Sequence, residues 1–376
     1  MSDGPQFATG FARVTREVTR RLSERPGIDI ACLGWASDGV ATNPGDHPIR
    51  VYPGSATSNG QDTIESVVAD FKPDVLVTLG EFRMVKWLAS HGVRKKFKWV
   101  GYLPLDGGPF YPPWAVTLRE MEEIIAMSHF GRGVLQSGVG SREIRMIYHG
   151  VDCEVMKALP NRQEIKTHPR FRGKFVVGCI ARNQWRKNIP ALVQAFSLLV
   201  RRYPDLHLYI QSASSSTGYD LPELLKRYEL QGCADLAAPN YSVTNGLSDS
   251  QMNELYNLFD VTVLPTCAEG FGLPLLESMA AGVPIVATDF SACSELVRGH
   301  GELAAVKTII TLGESLLDQA IVDVEDLARC IEKLYLSPEL RQQYGQAGRA
   351  FAETLSWDRL MPQWLDVLSK VSGVDL

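Results

Sequence analysis

The chain has 376 residues, 45% of them hydrophobic and 22% charged, with a formal net charge of -5. That length holds two domains of ordinary size. The acidic balance gives no global reason for nucleic-acid binding, so no stable nucleic-acid partner is expected. No apolar run is long enough to form a transmembrane segment, and the polar start Met1-Ser-Asp-Gly-Pro-Gln6 lacks the layout of a signal peptide. The seven cysteines are scattered, which suits neither a disulfide framework nor a zinc site and fits a reducing compartment. The expected location is cytoplasmic, with a peripheral place at the membrane left open.

Taken in order, Gln6-Phe-Ala-Thr-Gly10-Phe-Ala-Arg-Val14 reads as a loop opening into a helix. Thr9 is the N-cap, and Val14, Val18 and Leu22 form the apolar stripe. Short apolar, turn-bounded runs follow at Ile28–Gly34, Ile49–Tyr52, Val75–Leu79, Phe97–Leu103, Ile124–Met127 and Ile144–Tyr148, alternating with helical stretches. This alternation predicts a mostly parallel sheet with helices on both faces. Ligands of such sheets sit at the carboxyl ends of the strands. That singles out the loops at Thr9-Gly10, Gly80-Glu81 and Pro104-Leu-Asp106-Gly-Gly108. Asp106 suits a place beside a reacting group as well as it suits a turn. Pro109-Phe-Tyr-Pro-Pro-Trp114 reads as a rigid aromatic loop, either packed or lining the side where an acceptor enters, and the polar stretch from Pro160 to Gly173 as a linker or surface loop.

The second half restarts with a strand at Phe175–Ile180, followed by the basic loop Arg182-Asn-Gln-Trp-Arg186-Lys187-Asn188. Leu206–Ile210 is the next strand. Ser248-Asp-Ser-Gln251 has capping-box form ahead of a helix with Met252, Leu255 and Phe259 on its buried face. Val261–Pro265 is a buried strand. It leads into Glu269-Gly270-Phe271-Gly272-Leu273-Pro274-Leu-Leu-Glu277, which reads as strand, glycine loop and helix N-terminus, with Pro274 suited to the first helical turn. Such a loop presents main-chain N–H groups and a positive dipole end to a phosphate. Gly270 and Gly272 lack the Cβ that would keep a ligand off the main chain. The flanking carboxylates suit sugar hydroxyls, which donate short charge-assisted bonds to them. Glu277 then takes ribose hydroxyls and Glu269 those of a second sugar. Phosphate, ribose and another sugar together describe a nucleotide-sugar. Near the end, Asp323 opens a helix and Met361–Val371 is amphipathic.

Glu269 to Glu277 resembles the E-x7-E signature of retaining GT-B glycosyltransferases, especially glycosyltransferase family 4. Pro284-Ile-Val-Ala-Thr288 and Ser294-Glu-Leu-Val297 match the same family's continuation. The resemblance implies an α/β protein of GT-B type, two Rossmann-like doubly wound domains facing across a cleft. Residues 1–150 are then the acceptor-side domain and 151–355 the nucleotide-sugar-binding domain, while 356–376 form a helix that packs back toward the first. Ile147-Tyr-His149-Gly150-Val-Asp152 is similar to the family's hinge.

The implied activity moves a sugar from a nucleotide-diphospho-sugar, such as a UDP- or GDP-hexose, to an acceptor the sequence does not identify. It implies retention of configuration, no cofactor and no metal; the chain also has no Asp-x-Asp clamp. By the same resemblance, Arg182 and Lys187 hold the donor diphosphate, with Arg186 as the rival cation. Thr244 and Asn245 fall in the base-recognition loop. Gly270, Phe271, Gly272, Leu273 and Gly10 complete the donor site. Asp106 stands where the family often has a His. The family's first strand precedes the Gly10 loop and is expected to be missing here. Two rival readings are a nucleotide-sugar epimerase on the same fold and a donor-binding but inactive regulatory subunit.

Overall fold

A computed structural model describes residues 1–35, 49–55, 57–213 and 218–376. They divide into two compact units. Unit 1 comprises Met1–Gly150, Ser315–Leu317 and Trp357–Leu376; unit 2 comprises Val151–Glu314 and Asp318–Ser356.

Unit 1 runs β1 (Ser2–Asp3), α1 (Gly10–Ser23), β2 (Ala31–Trp35), β3 (Arg50–Pro53), α2 (Ile64–Phe71), β4 (Val75–Leu79), α3 (Phe82–Val85), β5 (Lys98–Leu103), α4 (Trp114–Arg119), β6 (Glu123–Ala126), α5 (His129–Val139) and β7 (Arg145–Met146). The order β1-β2-β3 forms one parallel run and β4-β5-β6-β7 another. Met1 joins them: its nitrogen donates to the Val77 carbonyl at 2.7 Å, and Leu79 N–H donates to the Met1 carbonyl at 3.0 Å.

The expected loss of the first strand is therefore corrected. It is present as two residues, Ser2 paired with Gly34 and Asp3 with Trp35. So short a strand holds because β2 pairs along it and Met1, just before it, exchanges main-chain bonds with β4. Its side chains are polar, so no apolar run betrays it. The Asp3 carboxylate is buried but accepts from Thr9 Oγ1 at 2.6 Å. Thr9 also caps α1, accepting from Ala12 N–H at 3.0 Å, and Val14, Val18 and Leu22 form the buried stripe.

The Pro109–Trp114 loop packs as an aromatic cluster, with Trp114 stacked on Phe82 at 4.3 Å and edge-on to Phe110 at 5.9 Å. Buried Trp35, Trp99, Leu103 and Ile124 centre the core.

Unit 2 runs α6 (Arg162–Ile165), β8 (Phe175–Ile180), α7 (Ile189–Val200), β9 (Leu206–Gln211), α8 (Leu221–Arg227), β10 (Ala234–Leu236), α9 (Asp249–Leu258), β11 (Val261–Leu264), α10 (Leu273–Ala280), β12 (Ile285–Thr288), α11 (Ser291–Val297), β13 (Gly301–Ala304), β14 (Val306–Leu312), β15 (Leu317–Val322), α12 (Val324–Leu336) and α13 (Pro338–Thr354). Its six-stranded sheet has the order β10-β9-β8-β11-β12-β13, and its strands pair in parallel.

The chain builds outward from β8 to β10, then returns to start again at β11 on the other side of β8. Loops leaving β8 and β11 therefore diverge around one crevice, the topological switch point where such sheets bind ligands. Close approach at this seam needs Gly178, because a Cβ there would meet the Phe259 ring at 2.1 Å. Buried Val177, Phe196, Val261 and Ile331 belong to the core behind it.

Two stretches differ from the sequence reading. Residues 160–173 contain α6 and are fastened down, with Arg162 Nε donating to the Asn257 carbonyl at 3.1 Å and Lys166 paired with Asp260. The terminal helix, α14 (Trp357–Ser372), begins at Trp357, ahead of the Met361 expected from its periodicity. Trp357 is buried against Gly150, where a Cβ would lie 2.4 Å from its indole, and Arg21 on α1 pairs with Asp358 at 2.6 Å. No helix among the described residues is long and apolar enough to cross a membrane.

Candidate active site

The loop from β11 to α10 runs through Thr266 and Cys267 and ends at Gly272, which caps α10 with φ of 105°. Side chains rarely tolerate that conformation, so glycine is required there. Pro274 follows in the first helical turn, as its missing N–H allows. The N–H groups of Gly270, Gly272 and Leu273 make no hydrogen bond among the described residues. Three main-chain donors thus remain at the positive end of a helix.

Beside them, Lys187 Nζ lies 2.6 Å from Glu269 Oε1, and both side chains are buried. Arg186 Nη1 stands 3.3 Å from Glu269 Oε2 and also donates to the Ala268 carbonyl. Two further bonds stitch the β8 and β11 loops together: Cys267 N–H and Thr266 Oγ1 donate to the Arg186 carbonyl at 2.7 and 3.2 Å. Ser291, held at φ of 52°, accepts the Glu269 N–H on its hydroxyl at 2.8 Å.

Burial alone would raise the Glu269 carboxyl, but Lys187, Arg186 and the Thr266 hydroxyl outweigh it and hold the group at about 2. Burial pushes the Lys187 ammonium down while Glu269 opposes the shift. The trio of one acid and two bases leaves an excess positive charge next to the orphan amides. A carboxylate has about four acceptor positions, so Glu269 keeps room for hydroxyl donors.

Glu277 lies inside α10 and is buried, accepting from Tyr256 OH on α9 at 2.7 Å. Tyr256 and Ser291 escaped the sequence reading: one sits within the apolar stripe of a helix, the other follows a turn, and neither carries a motif. Arg186 figured there only as a rival, yet it is Arg186 and Lys187 that reach Glu269. Arg182 is exposed, and its carbonyl accepts from Gln184 N–H at 2.8 Å. Between them Trp185 is 65% exposed, edge-on to Tyr219 at 4.5 Å.

Thr244 and Asn245 occupy an exposed turn closed on itself, with Asn245 Nδ2 donating to the Asn240 carbonyl at 2.9 Å. Gly10 opens α1, and Asp106, half-buried, follows β5; both belong to unit 1, while the residues from Arg182 to Glu277 belong to unit 2. His149 is buried, shares a 2.7 Å hydrogen bond with Tyr102 OH, and is pushed by desolvation to about 3.

Two units built on parallel strands with helices, the second with a topological switch point between β8 and β11, place the fold in the GT-B class. A crystal structure of Anabaena Alr3699/HepE, solved with UDP and glucose, superposes with a TM-score of 0.75 at 18% identity over 97% of this chain and 96% of that one. A profile of the family described as glycosyl transferases group 1 matches residues 161–351, and the chain belongs to that family. EpsD of Bacillus subtilis, which bears a glycosyltransferase name, is 30% identical over 283 residues, 74% of this chain and 66% of that one. The lipopolysaccharide core biosynthesis mannosyltransferase LpsB of Rhizobium meliloti is 31% identical over 216 residues, 56% of this chain and 58% of LpsB. The chain thus spans less than two thirds of the length of either relative.

Proposed function

We propose that this chain is a glycosyltransferase that takes a sugar from a nucleotide-diphospho-sugar and delivers it to an acceptor hydroxyl with retention of configuration, without a protein-bound metal or a cofactor. The observation that carries the reading is the cluster of Lys187, Arg186 and Glu269 beside the orphan amides of Gly270, Gly272 and Leu273. An excess cationic charge next to free N–H donors suits a diphosphate. Charge grows on that diphosphate as the glycosidic C–O bond breaks, and pre-positioned cations stabilise it without reorganisation.

In this reading Lys187 and the exposed Arg182 act on the diphosphate, and Arg186 fixes Glu269. Glu269 and Glu277 accept hydroxyls of the transferred sugar and of the ribose. Thr244 and Asn245 face the base, while Gly10 and Asp106 serve from unit 1. The acceptor oxygen bonds to the anomeric carbon as the phosphate oxygen leaves with the electron pair, and that oxygen takes the acceptor's proton. No side-chain base is then required.

HepE structures hold UDP, glucose and UDP-glucose, and LpsB is named as a mannosyltransferase, which makes UDP-hexoses and GDP-mannose the first donors to try. A nucleotide-sugar panel read by thermal shift tests the proposal. A true donor raises the melting temperature, by about 2.7 kcal/mol of stabilisation at a hundred times its Kd. Incubating that donor alone then separates transfer, which waits for an acceptor, from epimerisation. A panel that shifts nothing rejects the reading.

A further inference from the structure

Unit 1 carries a cavity of about 710 Å³ bounded by the end of α2, the start of β4 and the turn that precedes β5. It opens at the amino ends of the strands, opposite the end where doubly wound sheets hold their substrates. Five cationic side chains line it (Lys72, Arg94, Lys95, Lys96 and Lys98) against three carboxylates.

One of those acids is already spent. Glu122 accepts from both Arg94 Nη2, at 2.9 Å, and Trp99 N–H, at 2.5 Å. The four lysines are exposed and make no ion pair among the described residues. The chain as a whole is acidic, so this local surplus of ammonium groups runs against its composition.

Two further features belong to the lining. Lys72 caps α2 with φ of 51°, a left-handed conformation that glycine would adopt at less cost, yet the position carries a lysine. Arg94 is 8% exposed, its outer nitrogens are locked on Glu122 and main-chain carbonyls, and its buried Nε–H has no acceptor.

We propose that this cavity is a second anion site, separate from the donor loop, that receives a phosphate-bearing group. Clustered ammonium groups repel one another until a polyanion neutralises them. Lysines act as mobile point charges, suited to a phosphate's several oxygens more than to one planar carboxylate. Such a phosphate can belong to a soluble ester or to an anionic lipid headgroup, and both present the same oxygens.

The test compares the full chain with the variant Lys95→Glu/Lys98→Glu at low ionic strength, where screening is weak. Both positions are exposed and unpaired, so the fold should survive, and matched thermal melts check this. Lys95→Gln/Lys98→Gln, which adds no negative charge, serves as the second variant. One arm titrates inorganic pyrophosphate calorimetrically, and the other sediments the protein with phosphatidylcholine vesicles lacking or containing phosphatidylglycerol.

The donor loop is intact in every chain, so any difference between them belongs to the cavity. The expected result is a loss of about tenfold or more in one arm for the charge-reversed chain, with the Gln variant intermediate. Loss in the pyrophosphate arm assigns a soluble ester; loss confined to phosphatidylglycerol vesicles assigns a headgroup. Variants that match the parent in both arms would overturn the proposal.

Discussion

Lys187 Nζ sits 2.6 Å from Glu269 Oε1, and both side chains are buried in unit 2. Breaking a buried pair from one side strands the other charge, which costs about 3–5 kcal/mol. Arg186 remains beside Glu269 and softens that loss. Lys187→Ala should therefore lower stability by about 2–4 kcal/mol in urea unfolding, while the double variant Lys187→Met/Glu269→Leu should recover much of it. Both should weaken nucleotide binding, which separates the pair's structural role from its chemical one.

Tyr256 OH donates to Glu277 at 2.7 Å with both groups buried. Tyr256→Phe removes only that donor. The expected stability loss is about 1–2 kcal/mol. If Glu277 grips the ribose, the donor KM should rise several-fold while kcat changes less, because the contact exists in ground state and transition state alike. A fall in kcat at constant KM would place Glu277 elsewhere in the reaction.

Much of this arrangement was legible in the residues alone. Glycines spaced around Phe271 and followed by Pro274 dictate a strand–loop–helix, and Gly272 at φ of 105° bears that out. Thr9, Ser248 and Asp323 cap helices where their side chains predicted it. What stayed hidden depends on pairing through space. Ser2-Asp3 is a strand only because β2 pairs with it and Met1 is tied to β4, and no local pattern announces that. The same holds for Tyr256 and Ser291, whose partners lie 21 and 22 positions away in the chain. Arg186 and Arg182 look alike as letters, but only the short turn at 185–187 brings one of them to Glu269.

His149 supplies a pH signature. Its buried ring titrates at about 3, below its ordinary 6.5, because burial disfavours the cation. The unfolded chain therefore takes up the proton first as pH falls. Stability from this group is full above pH 6.5 and drains away toward pH 3, at about 1.4 kcal/mol per pH unit. Urea unfolding at a series of pH values between 7 and 4 should show this slope. His149→Gln, which stays neutral and keeps a partner for Tyr102, should flatten it.

Gly150 leaves no space for a side chain, since a Cβ there would come within 2.4 Å of the Trp357 indole. Gly150→Ala must displace Trp357 at the start of α14, at about 1–3 kcal/mol. A lower melting temperature with near-ultraviolet circular dichroism altered in the tryptophan region is the expected reading.

The central claim is that a nucleoside diphosphate is held by Lys187 on one side and Glu277 on the other. Calorimetric titration of UDP, GDP and ADP into the parent chain, Lys187→Ala and Glu277→Ala tests it most directly. The account predicts that one of the three nucleotides binds the parent and that each substitution weakens it by about 2 kcal/mol or more, some thirtyfold. Variants that bind every nucleotide as the parent does would contradict it.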